Sequence, residues 1–248
     1  PLNSILNFIM LDIMKNYFLN FVEKIHILQN IYLKNKIFLK KKTYSMHGED
    51  LVLEKYFKGK DNGFYVDLGC YHPTKYNNTM LLYQKGWRGI NIDINELSIK
   101  LFNFCRPDDL NLNLAVSDKN DEIDFYYQKK LSLLSTIKKS QLNFAFQGKI
   151  NKKKISSQTI TKILDDSKYK DKQIDFLDID IEGADLDALK SLDFSRYSPK
   201  LICVEIFPEN LDMHNINIEK SDIYNLLKAK NYKRIWSGIW NHIFVRNL

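Results

Sequence analysis

Along the first forty-odd residues the apolar positions Leu6, Met10, Ile13, Tyr17, Phe21, Ile25, Leu28 and Tyr32 return at steps of three and four. That period places one apolar stripe on a long helix or on a pair of helices. The stripe predicts packing against the chain's own core or in a homodimer. Its lysines, with Lys40, Lys41 and Lys42, also suit peripheral contact with an anionic membrane, a second reading behind the core or dimer one, so the inner membrane surface stays open as a location. Charges at Asp12, Lys15, Glu23 and Lys24 keep every uncharged run below the roughly 18 residues needed to span a bilayer. Neither a transmembrane helix nor a signal peptide is expected.

From Ser45 onward strand and helix patterns alternate. Ser45 is expected to cap a helix containing Leu51, Val52, Tyr56 and Phe57, with Glu49 and Asp50 in a first turn where the helix dipole favours acids. After Gly63 come a short apolar strand, Phe64 to Leu68, a helix from Thr79 to Lys85, and strands over Gly89 to Ile94 and Leu110 to Val116. A further strand is predicted from Glu122 to Tyr127, while the polar stretch from Lys129 to Gln158 reads as an insertion or lid. Ile174 to Ile181 is the fourth main strand, followed by a helix from Ala184 to Leu192. Leu201 to Phe207 is the fifth, an unbroken apolar run suited to a buried parallel sheet. A helix from Ser221 to Lys230 and a hairpin, Arg234 to Trp236 with His242 to Val245, close the chain. The pattern predicts an α/β fold: a mostly parallel, doubly wound, Rossmann-like sheet ending in an antiparallel hairpin. It also predicts two parts, a helical extension over residues 1–44 and a domain over 45–248.

Composition changes this picture in two places. The net charge of +7 suggests an anionic partner until its location is counted: residues 1–44 hold seven lysines against Asp12 and Glu23, a local +5 that leaves +2 for the domain. Nucleic acid is therefore not expected as a partner. The three cysteines, Cys70, Cys105 and Cys203, are odd in number and lie in or beside apolar runs, which favours a reducing, cytoplasmic setting over disulfides or zinc.

In a sheet of this kind ligands bind beyond the carboxyl ends of the strands. The first strand ends in Asp67-Leu68-Gly69-Cys70-Tyr71, where Gly69 lets backbone approach a ligand and Asp67 offers an acceptor to a cation. The second ends at Asp93, which is either an acceptor for two ribose hydroxyls or a cap for the helix after Asn95. Ser117 and Asp118 follow the third strand and either meet an adenine edge or make the turn. In the fourth, Asp175, Asp178, Asp180 and Glu182 punctuate a strand that should be buried, where unpartnered carboxylates are costly, so they are either salt-bridged structural groups or, the favoured reading, members of a site. Such an acid cluster also suits a hard divalent cation, but no metal is assigned. His72, in the loop after the first strand, is either a loop hydrogen-bonding group or a base, and His214 and His242 are minor acceptor-side candidates.

Five pieces in order, Ser45 to Asp50, Gly63 to Pro73, Asn78-Thr79, Gly86 to Asp93 and Ile174 to Asp185, resemble the FkbM-type methyltransferase family. The resemblance runs from about Ser45 to the end of the chain. It implies a class I methyltransferase fold, S-adenosylmethionine as donor with S-adenosylhomocysteine as product, and a hydroxyl acceptor, expected to be a sugar in a surface glycan or a secondary metabolite. On that reading Glu49, Asp67, Gly69, Cys70, Asn78, Thr79, Asp93, Ile94, Ser117, Asp118 and Asp180 bind the cofactor, and Asp180, Glu182 and His72, in falling order, are the candidate bases. The chain departs from the wider pattern at Tyr71, where a second loop glycine is common, and at Asp93, where the family often carries Glu. The rivals are a nicotinamide oxidoreductase, disfavoured because the nine glycines form no G-x-G-x-x-G, and a non-catalytic module that binds an adenosyl ligand. An amino-group methyltransferase is disfavoured because Glu182-Gly183 stands where that chemistry uses Asn/Asp-Pro-Pro-aromatic.

Overall fold

A computed structural model describes residues 2–128, 135–136, 148–206 and 218–247. It separates into two compact units, Pro1–Lys42 and Thr43–Leu248. In the first unit, helix α1 (Leu2–Leu28) runs directly into a π-helical turn, Gln29–Lys34. No helix among the described residues is long and apolar enough to cross a membrane.

The second unit opens with α2 (Glu49–Tyr56), β1 (Phe64–Leu68), α3 (Met80–Gln84), β2 (Arg88–Asp93), α4 (Glu96–Cys105), β3 (Leu110–Asn113), β4 (Ala115–Val116) and β5 (Asp121–Tyr127). There follow β6 (Ser135–Thr136), β7 (Asn151–Gln158), α5 (Ile160–Asp166), β8 (Phe176–Ile179), α6 (Asp185–Lys190) and β9 (Leu201–Glu205). The unit closes with α7 (Asp222–Ala229), β10 (Tyr232–Ser237) and β11 (Asn241–Arg246).

Seven strands form the main sheet in the order β10-β11-β9-β8-β1-β2-β3. β3, β2, β1, β8 and β9 are parallel, whereas β11 is antiparallel to both β9 and β10. Strand order therefore reverses beside β1: the chain moves outward to β3, then returns to place β8 on the other side. Alternation sends Val66, Leu68, Ile92, Ile179 and Val204 to one face, under Ile163 of α5, Leu189 of α6 and Leu227 of α7. Tyr65, Phe176 and Cys203 go to the other face, under Leu53 of α2 and Leu82 of α3. Helix starts follow ordinary capping: Asn95, Thr159 and Ser221 accept from Leu97 N, Lys162 N and Tyr224 N.

Three expectations are corrected. The strand from Leu110 to Val116 breaks at Leu114, and β4 belongs to a second sheet of order β4-β7-β5-β6. That sheet takes up part of the expected polar insertion: β7, reading Asn-Lys-Lys-Lys-Ile-Ser-Ser-Gln, pairs with all of β5 and buries Ile155 against Ala115 and Phe125. Its other face is charged, with Lys152 Nζ 2.7 Å from Asp124 Oδ2, so no apolar alternation marks it. Residues 129–134 and 137–147 of the insertion, and 207–217 with Phe207 and His214, lie outside the described residues. Finally, α2 is preceded by Gly48 in the left-handed region (φ 89), and Ser45 stands outside the cap. Its Oγ accepts from Gly48 N at 3.0 Å and helps hold Asp50, whose carboxylate also accepts from Tyr44 N and Thr43 Oγ1 at 2.6 Å each.

Candidate functional site

The reversal beside β1 opens at the carboxyl ends of the parallel strands, where Asp67, Asp93, Asp180 and Glu205 come together from β1, β2, β8 and β9. Asp67 is buried, and its Oδ2 accepts from Thr79 Oγ1 at 2.7 Å and Asn77 Nδ2 at 3.1 Å. Below that pair lies Arg106, fully buried. Its guanidinium donates to Asn77 Oδ1 (2.6 Å), Pro73 O (2.8 Å), Thr79 Oγ1 (2.8 Å) and Tyr65 Oη (3.3 Å). One buried cation thus pins the loop from Pro73 to Thr79 over the end of β1. Burial pushes the Asp67 carboxyl up, against the opposing pull of Thr79 and Arg106.

Gly69 has φ +77 and donates its N–H to Ile92 O at 2.9 Å. A Cβ there would collide with the carbonyl of Asp180. The glycine therefore permits the β1 loop to cross the end of β8, a closer constraint than approach to a ligand. Cys70 turns its thiol toward α4, 3.8 Å from Ser98 Oγ, and burial pushes that thiol well up. His72 is buried and its Nδ1 accepts from Thr74 N at 3.1 Å, as the loop-holding alternative expects.

Asp93 is not the cap of α4, because Asn95 fills that position. Its Oδ2 accepts from Tyr71 N at 2.9 Å and lies 3.0 Å from Ser98 Oγ, while Oδ1 accepts from Asn95 N at 2.7 Å. Burial, opposed by these bonds, raises the carboxyl to about 6. Ile94, next in sequence, packs with the core of the small sheet. Ser117 belongs there too: its Oγ contacts Ser157 Oγ and donates to Lys119 O at 2.9 Å. Among the described contacts none brings Ser117 or Asp118 to the acids at the end of β1 and β8.

β8 supplies the densest charge. Asp178 is buried opposite Asp67 in register and accepts from Asn78 Nδ2 at 3.1 Å, and burial beside Asp67 pushes it well up. Asp180 rises to about 8 through burial and the surrounding Glu182, Asp185, Asp67 and Glu49. Among the described residues no hydrogen bond reaches its carboxyl. Glu182 follows, exposed and with φ +52. Asp185 folds back to accept from Gly183 N at 3.0 Å and Ile181 N at 3.2 Å, holding the turn, and burial raises it to about 6.

Two contributors were invisible as such in the sequence. Glu205 ends β9 with 7% exposure, its Oε2 lacks a partner among the described residues, and burial beside Asp180, Asp185 and Glu182 raises it to about 10. An acid ending an apolar strand is the same signal that singled out Asp180. The other is Asn241, opposite Glu205 on β11, which donates to Glu49 Oε1 at 2.9 Å. With His47 N on Oε2 at 2.8 Å, this bond keeps the buried Glu49 below the usual carboxylate range although burial opposes it. His242, paired with Val204, points to the opposite face of the sheet from Asn241 and Glu205, and burial lowers it to about 4.

A parallel sheet of this order, reversed beside its first strand and closed by one antiparallel hairpin, with its acids at the carboxyl edge, is the Rossmann-like architecture of class I methyltransferases. The chain belongs to the FkbM methyltransferase domain family, whose model matches residues 67–234. It is similar to a TehB-like SAM-dependent methyltransferase from Corynebacterium glutamicum ATCC 13032 at 8% identity, over 94% of this chain and 97% of that one, with a TM-score of 0.43. No curated protein matches the chain.

Proposed function

We propose that this chain transfers the methyl group of S-adenosylmethionine to a hydroxyl, with a sugar of a glycan or secondary metabolite as acceptor. The observation that carries the reading is the uncompensated acid group at the strand reversal. Asp180 and Glu205 stand there with no lysine or arginine bonded to either among the described residues, and their neighbours are other carboxylates. Such a group is costly alone and suits a ligand bearing positive charge. Bound there, S-adenosylmethionine supplies a methyl carbon already activated by positively charged sulfur.

The chain's own part is to bind, orient and move one proton. Asp67, held by Thr79 and Asn77 over Arg106, and Glu49, held by Asn241, are the fixed acceptors. Asp93 is preset by Tyr71 N and Asn95 N to accept from vicinal hydroxyls. Asp180 is the base. In the free chain it keeps its proton up to about pH 8, and positive charge beside it favours the carboxylate, which then takes the acceptor's proton as its oxygen is alkylated.

The test is calorimetric titration of S-adenosylmethionine into the wild type, Asp93→Ala and Asp180→Asn. These titrations are paired with S-adenosylhomocysteine formation on a panel of sugar hydroxyl acceptors. Asp93→Ala should weaken binding about 10- to 100-fold, the scale of lost hydrogen bonds to a charged group. Asp180→Asn should bind and turn over about 10²- to 10⁴-fold more slowly. A folded wild type that binds no S-adenosylmethionine overturns the reading; one that binds without turnover on any acceptor points to a non-catalytic binding module.

A further inference from the structure

The helix of the first unit carries a face whose purpose the transfer chemistry does not explain. Between Met10 and Leu28, the side chains of Met10, Met14, Tyr17, Phe18, Phe21, Val22 and Ile25 fall within an arc of about 140° on a helical projection. All are exposed, from 38% at Val22 to 75% at Tyr17. Outside the arc stand Asn16, Asn20 and Glu23 with the exposed Ile13 and Leu19, and Lys15 and Lys24 flank its two margins. Beyond the helix the exposed Leu33, Phe38 and Leu39 alternate with the exposed Lys34, Lys36, Lys40 and Lys42. An apolar face this large does not stay in water without a partner.

We infer that residues 10–42 dock on an anionic membrane surface, with the apolar arc of α1 in the headgroup–acyl boundary and the lysines on the lipid headgroups. Three observations choose this occupant over a second copy of the chain. The arc is wider than the two-position seam along which helices of a coiled coil meet. Lysines at its margins can lay their methylene stems along the apolar boundary while their ammonium groups reach headgroups. The first 42 residues hold seven lysines against Asp12 and Glu23, an excess that complements anionic lipid and that a second copy would only duplicate. The helix does not meet the length and apolarity needed to cross, so it lies in the interface plane.

The experiment is co-sedimentation of the full chain with vesicles of phosphatidylcholine alone and of phosphatidylcholine with about 30% phosphatidylserine, a range in which each nearby lysine contributes measurably. Binding to the anionic vesicles should exceed that to neutral ones at least about tenfold and should fall with added salt. The pair Phe18→Asp with Phe21→Asp should abolish it. The set Lys34→Gln, Lys36→Gln, Lys40→Gln and Lys42→Gln should erase the lipid preference. Both variants should keep the wild-type thermal midpoint of the second unit. Equal binding to both vesicle types, or none by a folded chain, overturns the inference. So does a dimer in sedimentation equilibrium that Phe18→Asp with Phe21→Asp dissolves while vesicles remain unbound, which would assign the face to a second copy.

Discussion

The two ends of β8 hold acids in opposite states. Before its first residue, Asp175 is clasped: Lys60 Nζ lies 2.5 Å and Lys200 Nζ 2.8 Å from Oδ1, and Phe64 N donates to Oδ2 at 3.1 Å. These bonds overcome burial and hold its carboxyl below the usual range. Just past the last residue, Asp180 has other acids as its charged neighbours among the described residues and rises to about 8. Both are carboxylates in one stretch of sequence, so residue type does not separate them. The difference is whether the fold supplies a counter-charge. At the amino edge it does, and the acid ties β1, β8 and β9 together. At the carboxyl edge none is bonded to Asp180 among the described residues, which suits the cationic ligand proposed for that edge.

Three substitutions sharpen or break that contrast. The largest effect belongs to Gly69→Ala, because the added methyl meets the Asp180 carbonyl and the φ of +77 disfavours any side chain. A loss of about 3 kcal/mol or more is expected. That lowers the thermal midpoint by about 6 to 12 °C for a unit of this size; an unchanged midpoint would mean that the β1 loop does not cross β8 as described.

Glu205→Gln comes next, with the opposite sign. The folded chain keeps a proton on Glu205 up to about pH 10. The unfolded chain releases it near pH 4. Stability from this group is therefore complete below about pH 4 and declines as pH rises toward the folded value. The amide removes that decline. Thermal scans should show a gain of about 1 to 3 kcal/mol at pH 8 that vanishes at pH 4. A loss at pH 8 would show that Glu205 has a counter-charge after all.

The smallest change is expected for Lys200→Met. Its side chain is 47% exposed, and Lys60 and Phe64 N still hold Asp175. A loss below about 1 kcal/mol at pH 7 is expected, reduced by salt. Because the Asp175 carboxyl is depressed, the contribution exists above about pH 4 and disappears below it, the reverse of Glu205. Denaturant midpoints at pH 7 and pH 3 test the pair directly.

Much of this molecule was legible in one dimension. The apolar runs of β1, β8 and β9 read correctly because both faces of a central parallel strand are buried. Asp67, Asp93 and Asp180 stood out because acids at the ends of such strands have no place in a core. β7 was missed because its solvent face is a lysine run and only Ile155 and Ser157 are buried, too few to show alternation. Arg106 was missed for a different reason: at the end of α4 an arginine reads as a solvated helix terminus, and nothing local announces that Tyr65, Pro73, Asn77 and Thr79 will close around it.

By itself, then, the order of apolar and polar residues determined most of the element types, the parallel sheet and the strand ends where chemistry collects, since each depends on short-range period and on the cost of burying charge. Which acids receive a counter-charge or a hydrogen-bond donor was decided only in three dimensions. Lys60 is 115 residues from Asp175 in sequence, and Asn241 is 192 from Glu49. Electrostatic neutralisation depends on distance in space, and only the folded sheet sets that distance.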